Sequence, residues 1–448
     1  MSDLKPSPPE AVDAVSIQSV IIHTELTEIP VDISALVSDL DVFEHLDKPY
    51  ITAVLGFVDI EDVVGVLNIS GGERVSITLK SNLEDSVPVH KHFYIDKMLS
   101  SNKVNDNEEF FAMHLIEDIA FASNLLNINK SYTGSSSDII KSIASKLGLK
   151  INLGLDQADD QEIKVIVPNL TPIDAMCWVK NRTTTVEGYP YYLYSTLVGH
   201  KLNFYDMSKM LKADVMNDLP GEEYTHYESQ MSMPADKSKR RVIMAYQSKD
   251  TYDVYKLIDR GLIGSDYTYL NVTKKEEKKD NTFIFDINKE ALDKLLSFKK
   301  IGETTHRPLY DKTRYEWSSQ DEIEINSRKI TRIGSSQVFD GKKSLSERDD
   351  VSQYRLNEVN RSLSQLLVSD PINFIVNGLD FFDGENSTTI GNKLRVRFLR
   401  NTKVGDPTDL FDKKKSGDYL IFACKHSFTP RTYTLTFSGV KLSNGDIL

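Results

Sequence analysis

Gly72-Glu73-Arg74-Val75-Ser76-Ile77-Thr78-Leu79 and Gly391-Asn392-Lys393-Leu394-Arg395-Val396-Arg397-Phe398 follow one plan. Each octet has a glycine, two polar residues, and then apolar side chains at every second position. Alternation with a period of two places Val75, Ile77 and Leu79 on one face of an extended strand, and likewise Leu394, Val396 and Phe398. After each octet and a loop comes a strand pattern, a polar turn and another strand. An order shared by two distant regions predicts two related antiparallel β-barrel domains.

Working outward, strand patterns cover Ile17, Val20 and Ile22, then Ile51 to Val58, Phe93 to Met98 and Phe110 to Leu115, with a polar turn over Ser100 to Asn107. The period then changes. Ser137 is placed to cap a helix from Asp138 to Leu147 that stops at Gly148, and Thr171-Pro172-Ile173-Asp174 is a second helix start. Tyr189 to Tyr194 and Lys201 to Tyr205 read as a hairpin, followed by a short helix from Ser208. Further on, Arg240 to Tyr246 reads as a strand, Tyr252 to Arg260 and Lys289 to Phe298 as short helices, and Ser346 to Leu367 as a polar helix. The expected division is a flexible leader over 1–14, a first β-barrel over 15–130 and an α/β domain over 131–215. A second β-barrel follows from 216–250 and 360–448, with a mixed domain over 251–359 inserted into it. The fold class is thus mainly β with α/β insertions.

The composition fits a folded globular chain: 448 residues, 40% hydrophobic and 27% charged. No run of eighteen apolar residues exists, and Ile51 to Ile69 is interrupted by Asp59, Glu61 and Asp62, so no helical membrane span is expected. The first residues carry no signal-peptide pattern. Cys177 and Cys424 are too few for a disulfide framework and read as small core residues. The net charge of −12 argues against general nucleic-acid binding. Its distribution is uneven: residues 1–100 hold 6 basic and 17 acidic side chains, residues 251–448 hold 32 and 29.

Motifs that carry chemistry are missing. There is no phosphate-binding loop, no G-x-S-x-G, no H-E-x-x-H and no dinucleotide fingerprint. His90 and His92 share a strand face but have no third ligand in reach of sequence reasoning, and His114 and Glu117 fall on opposite faces. The basic runs Lys237 to Arg241 and Lys413 to Lys415 read as solvated loops. No catalytic residue, cofactor site or metal site is expected. Tyr189, Tyr191, Tyr192 and Tyr194 crowd one hairpin beside Pro190; alternation should expose about half of them, which makes them candidate anchors of a protein interface.

The order of softer signals resembles a known family. Phe43-Glu44, Pro49-Tyr50, Asp59 and Gly72-Glu73 are similar to the first barrel of tail hub proteins, found at the centre of contractile phage baseplates and related injection systems. Tyr132, Gly134, Ser137 to Ile140, Leu147-Gly148, Pro168 to Met176 and Tyr189 to Tyr194 resemble that family's second domain. Leu257 to Asn271 resembles its inserted domain; Arg361-Ser362, Gly378, Ile390-Gly391, Ser416 to Ile421, His426 and Tyr433 resemble its second barrel, while residues 273–345 match poorly. The resemblance implies a structural hub, without enzymatic activity, in the virion tail baseplate, assembled in the host cytoplasm. Its two barrels would form a pseudo-sixfold ring as a homotrimer. The implied partners are the tail tube protein above, the central spike protein below and baseplate wedge proteins, with double-stranded DNA passing through unbound. For such a channel Asp39, Asp41, Glu44, Asp59, Glu61 and Asp62 are candidate lumen-facing acids. A tail-associated cell-wall hydrolase and the hub of a bacterial injection apparatus remain the alternatives.

Overall fold

A computed structural model describes residues 15–24, 30–82, 86–105, 108–155, 163–199, 201–217, 222–227, 241–248, 259, 265–271, 282–285, 328–334, 338–340, 350–367, 371–382, 389–399, 411–412, 415–430 and 432–442. The expected leader, the helices expected over Tyr252–Arg260 and Lys289–Phe298, and the Lys237 to Arg241 run lie wholly or mostly outside them.

The first β unit comprises β1 (Val15–His23), β2 (Val31–Asp32), β3 (Val37–His45), β4 (Thr52–Asp59), β5 (Arg74–Ser81), β6 (Val89–Asn105) and β7 (Glu108–Glu117), with α1 (Val63–Val66) after β4. Leu40, Val42, Leu55, Phe57, Val75, Ile77 and Leu79 are buried in step with the two-residue period. The middle unit holds α2 (Asp118–Asn124), β8 (Ile128–Gly134), α3 (Ser136–Ala144), β9 (Ile151–Gly154), β10 (Ile163–Leu170), α4 (Pro172–Lys180), β11 (Tyr191–Tyr194), β12 (Leu202–Asp206) and α5 (Met207–Lys212). Short strands β13 (Tyr224–His226) and β14 (Ala245–Ser248) follow. The inserted segment contributes β15 (Ser265–Asn271), β16 (Thr282–Phe285), β17 (Arg328–Gly334) and β18 (Val338–Asp340), then α6 (Asp350–Leu367). The chain closes with β19 (Pro371–Asn377), β20 (Lys393–Phe398), β21 (Gly417–Phe428) and β22 (Tyr433–Lys441).

The two octets are β5 and β20, and the likeness extends well beyond them. In the first unit the strand order is β3-β4-β7-β6-β5; in the last it is β14-β19-β22-β21-β20. Register agrees from the leading glycines as far as Met98 in β6 and Cys424 in β21. Gly72 donates its N–H to the Ile95 carbonyl at 2.8 Å and Gly391 donates to Ile421 at 2.8 Å; Ile95 returns a bond to Glu73 and Ile421 to Asn392. Both glycines have left-handed φ, 90° and 80°, which side chains rarely tolerate. One step later each strand slips register, between Ile95 and Lys97 in β6 and between Ile421 and Ala423 in β21.

The units do not form two separate closed barrels. They join edge to edge in one 13-stranded sheet, where the C-terminal half of β21 pairs antiparallel with β3. Closure would require the outer edges of β5 and β3 to find one another. Instead β1 covers β5, β21 covers β3, and β13 runs parallel beside β20. One core runs continuously under both units, and a second lies in the middle unit around Ile140, Val167, Met176 and Phe204.

Local details correct three expectations. The cap of α3 is Ser135, whose side chain accepts the Asp138 N–H while its hydroxyl donates to the Asp138 carboxylate; Ser137, two residues on, is already inside the helix. The stretch expected as a turn over Ser100 to Asn107 is strand as far as Asn105. It is polar because it is solvated, and register slips along it accommodate its pairing with β7. Finally, β8 crosses the expected boundary at residue 130 and belongs to the middle unit, paired with β10. Among the described residues no helix is long and apolar enough to cross a membrane.

Candidate functional site

The pairing of β21 with β3 sets Cys424 directly opposite Glu44 and brings His426, two residues on, to the same face. Glu44 is buried, and its contacts come from all three units. Its Oε1 accepts the Leu197 N–H of the middle unit at 2.6 Å, and its Oε2 accepts the Thr389 hydroxyl of the last unit at 2.6 Å. Nε2 of His426 lies 3.0 Å from Oε1. Nδ1 of His426 sits 2.8 Å from the Tyr433 hydroxyl. Burial alone would push the Glu44 carboxyl up; the charge of His426 and the hydrogen bonds it accepts outweigh burial and hold it below its ordinary value.

A buried pair of the first unit, Lys91 with Glu117, holds the same loop of the middle unit through the lysine. Lys91 donates to the carbonyls of Thr196 at 3.0 Å and Gly199 at 3.2 Å, and pairs with Glu117 at 3.3 Å. Glu117 also accepts the Ile51 N–H. Burial pushes its carboxyl up, and Lys91 only partly offsets this. Nearby, Lys180 of α4 pairs with Asp47. The 195–199 loop is therefore held from both sides by side chains of the first β unit.

Among the described residues, Glu44, Cys424 and His426 are the one trio of metal-capable side chains with ligand atoms within 4.8 Å. They fit a charge pair better than a metal centre. Both Glu44 oxygens are already occupied by protein donors. Burial and then the neighbouring Glu44 charge hold the Cys424 thiol well above its ordinary value, in the protonated form that metals do not take. The junction can fix three segments in one geometry, and its burial keeps substrates out.

The candidate interface tyrosines are corrected here: Tyr189, Tyr191, Tyr192 and Tyr194 are all buried within the chain. Alternation holds, but β11 has a core on each side. Tyr191 and Leu193 pack into the middle core, with Tyr191 stacked on Phe204; Tyr192 and Tyr194 pack into the main one. Two of the six candidate acids are likewise structural. Glu44 lies in the junction, and Asp59 is buried, its carboxylate accepting the N–H groups of Glu61, Val63 and Val64 at the start of α1. Asp39 and Asp41 are half-buried, Asp41 pairing with Lys425 and Ser427, while Glu61 and Asp62 are exposed.

The remaining sequence candidates are ordinary. His90 and His92 each pair with a hydroxyl of β5, Thr78 and Ser76, and His114 pairs with Asp96. The Cys177 thiol is pushed up to about 11 by burial. Lys91, Lys180, Thr389 and the Leu197 amide escaped sequence reasoning. Glu44 figured in a motif and among the candidate lumen-facing acids, and His426 in a motif, with no reason to pair them.

No family model matches the sequence, and no curated protein matches it. Solved structures do. The 43 kDa tail protein of prophage MuSo2 from Shewanella oneidensis shares the fold, with a TM-score of 0.51 at 9% identity over 95% of this chain and 98% of that one. A tail protein from Neisseria meningitidis aligns over 96% of each chain with a TM-score of 0.48 at 9% identity. Prophage tail protein gp18 from Listeria monocytogenes aligns over 94% of each with a TM-score of 0.41 at 10% identity.

Proposed function

We propose that this chain is the central hub of a contractile-tail baseplate or of a related injection apparatus. In that reading it is a structural adaptor that joins a hexameric tube to a trimeric spike and surrounds the path of the genome. The observation that carries it is the internal repeat: two five-stranded units of one strand order, side by side in a single sheet. Three copies in a closed ring would present six near-equivalent units to a sixfold neighbour and three copies of everything else to a threefold one. The fold shared with a prophage tail protein supports a tail-associated role. The tube protein, the spike and wedge proteins are the partners this reading assigns, in a virion tail put together in the host cytoplasm.

Light scattering tests the reading directly: the particle should have three times the mass of the 50.8 kDa chain. A chain that stays monomeric at every concentration, with the spike protein present, would overturn it. A structural hub should also release no soluble fragments from peptidoglycan. Turnover abolished by one carboxylate substitution would favour the hydrolase instead.

A further inference from the structure

The repeat has one unmatched contact. In the last unit, β21 leaves β20 after Leu420 and its C-terminal half pairs with β3 of the first unit. In the first unit, β6 leaves β5 after the same turn, yet from Lys97 to Asn105 it pairs only with β7 among the described residues. The counterpart of β3 in the last unit is β14, which pairs only with β19 among the described residues. Among the described residues two half-contacts of one kind are thus without a partner strand, and each is the complement of the other.

We infer that β6 of one copy pairs antiparallel with β14 of the next, repeating between chains the β21–β3 contact made within each chain. The register follows from equivalences already fixed. Ile95 corresponds to Ile421, and Met98 opposite Met113 corresponds to Cys424 opposite Phe437; β6 then slips once more, between Met98 and Ser100, so Asn102 corresponds to Ser427. Leu55 pairs with Leu40 and Met113; Phe374 pairs with Tyr246 and Phe437. Tyr246 therefore corresponds to Leu40, and Gln247 to Asp41. Within the chain Ser427 faces Asp41 and Phe428 faces Leu40. Between chains Asn102 then faces Gln247, and Lys103 faces Tyr246.

The side chains keep the chemistry of the internal contact. The Ser427 hydroxyl donates to the Asp41 carboxylate at 2.7 Å. At the corresponding places stand Asn102, whose side-chain amide supplies an N–H donor, and a second side-chain carbonyl, that of Gln247. Apolar surface accompanies both edges: Leu99 is 48% and Val104 59% exposed on β6, and Met244 is 51% exposed at the start of β14. An open strand edge with exposed apolar side chains is a site for pairing with another chain. Because the two edges differ, the contact is head-to-tail and builds either a closed ring or a filament. Closure at three copies rests on the hub reading; the pairing itself does not.

The test is a disulfide scan in the full chain. Opposed residues of antiparallel strands lie about 4.5–5.5 Å apart at Cα, within the range a disulfide spans. The double variant Asn102→Cys, Gln247→Cys should give, on oxidation, a reducible ladder ending at three chains. The shifted pair Asn102→Cys, Ser248→Cys, whose second side chain points to the other face of its strand, should not. Mixing the two single variants Asn102→Cys and Gln247→Cys should give two-chain products only, and each single variant should elute as the parent does. A trimer by light scattering that fails to cross-link at this pair, or that cross-links equally at the shifted one, overturns the pairing and leaves the hub standing. A ladder running beyond three chains keeps the pairing and overturns the ring. A persistent monomer overturns both.

Discussion

At the scale of single residues the molecule turns on Glu44. Its position was legible: Leu40, Val42 and Glu44 share one phase of β3, and all three are buried. A carboxylate in phase with core residues is the signal of a buried polar network. Its partners were not legible, because Leu197, Thr389 and His426 meet it only through long-range folding. Replacing Glu44 by Ala would strand an amide, a hydroxyl and an imidazole without their acceptor, at a cost of about 3–5 kcal/mol, read as a lower denaturation midpoint. The pH dependence has a definite sign. The folded carboxyl lies below its ordinary value, so its contribution is present above that value and lost as pH falls below it. Glu117, whose carboxyl burial pushes up, works the other way and loses its contribution as pH rises past the ordinary value. The difference in stability between the parent and Glu44→Gln, measured at several pH values, isolates the first effect; it should shrink in acid. A constant difference would mean that Glu44 titrates alike in the folded and unfolded chain, and one that grew in acid would mean that it carries no charge when folded.

Among the elements, the two octets were readable because alternation and a leading glycine survive in both. The β6 extension was misread because a solvated hairpin lacks the apolar alternation that marks a half-buried strand. The matching first strand of the last unit was hard to place for another reason: β3 and β4 are joined by a short turn, whereas β14 and β19 are separated by the inserted segment. The glycines test the equivalence. An alanine at Gly72 meets no atom within 4 Å and should cost only its backbone strain, about 1–2 kcal/mol. An alanine at Gly391 carries the same strain, and its Cβ would lie 2.6 Å from the Tyr194 hydroxyl oxygen. Displacing that buried tyrosine adds about 1–3 kcal/mol. Gly391→Ala should therefore be the more damaging of the two in thermal unfolding, and equal effects would show that Tyr194 yields freely.

For the whole molecule, the charge imbalance of the first hundred residues still calls for a spatial reason, although Glu44 and Asp59 are now accounted for inside the fold. Asp39, Asp41, Glu61 and Asp62 remain as the acids our hub reading sets along the genome path. Filter binding tests this: the parent particle should not retain duplex DNA at physiological salt. Lysines at Asp39, Glu61 and Asp62 should create retention that falls steeply as salt rises. Retention by the parent itself would argue against a path meant to release its cargo. The seam between β3 and β21 has a consequence in time. Asp41 and Ser427 stand 386 positions apart, a gap that a ribosome covers in roughly 20–80 seconds at about 5–20 residues per second. Throughout that interval the first sheet exists with the outer edge of β3 bare, open to any passing strand. A nascent chain is thus most vulnerable to mispairing after its first unit has folded, and holdase binding should peak there. Once β21 and β22 emerge the edge is sealed. Only a finished polypeptide offers its neighbours the correct edges, so synthesis itself sets the order in which copies can begin to meet.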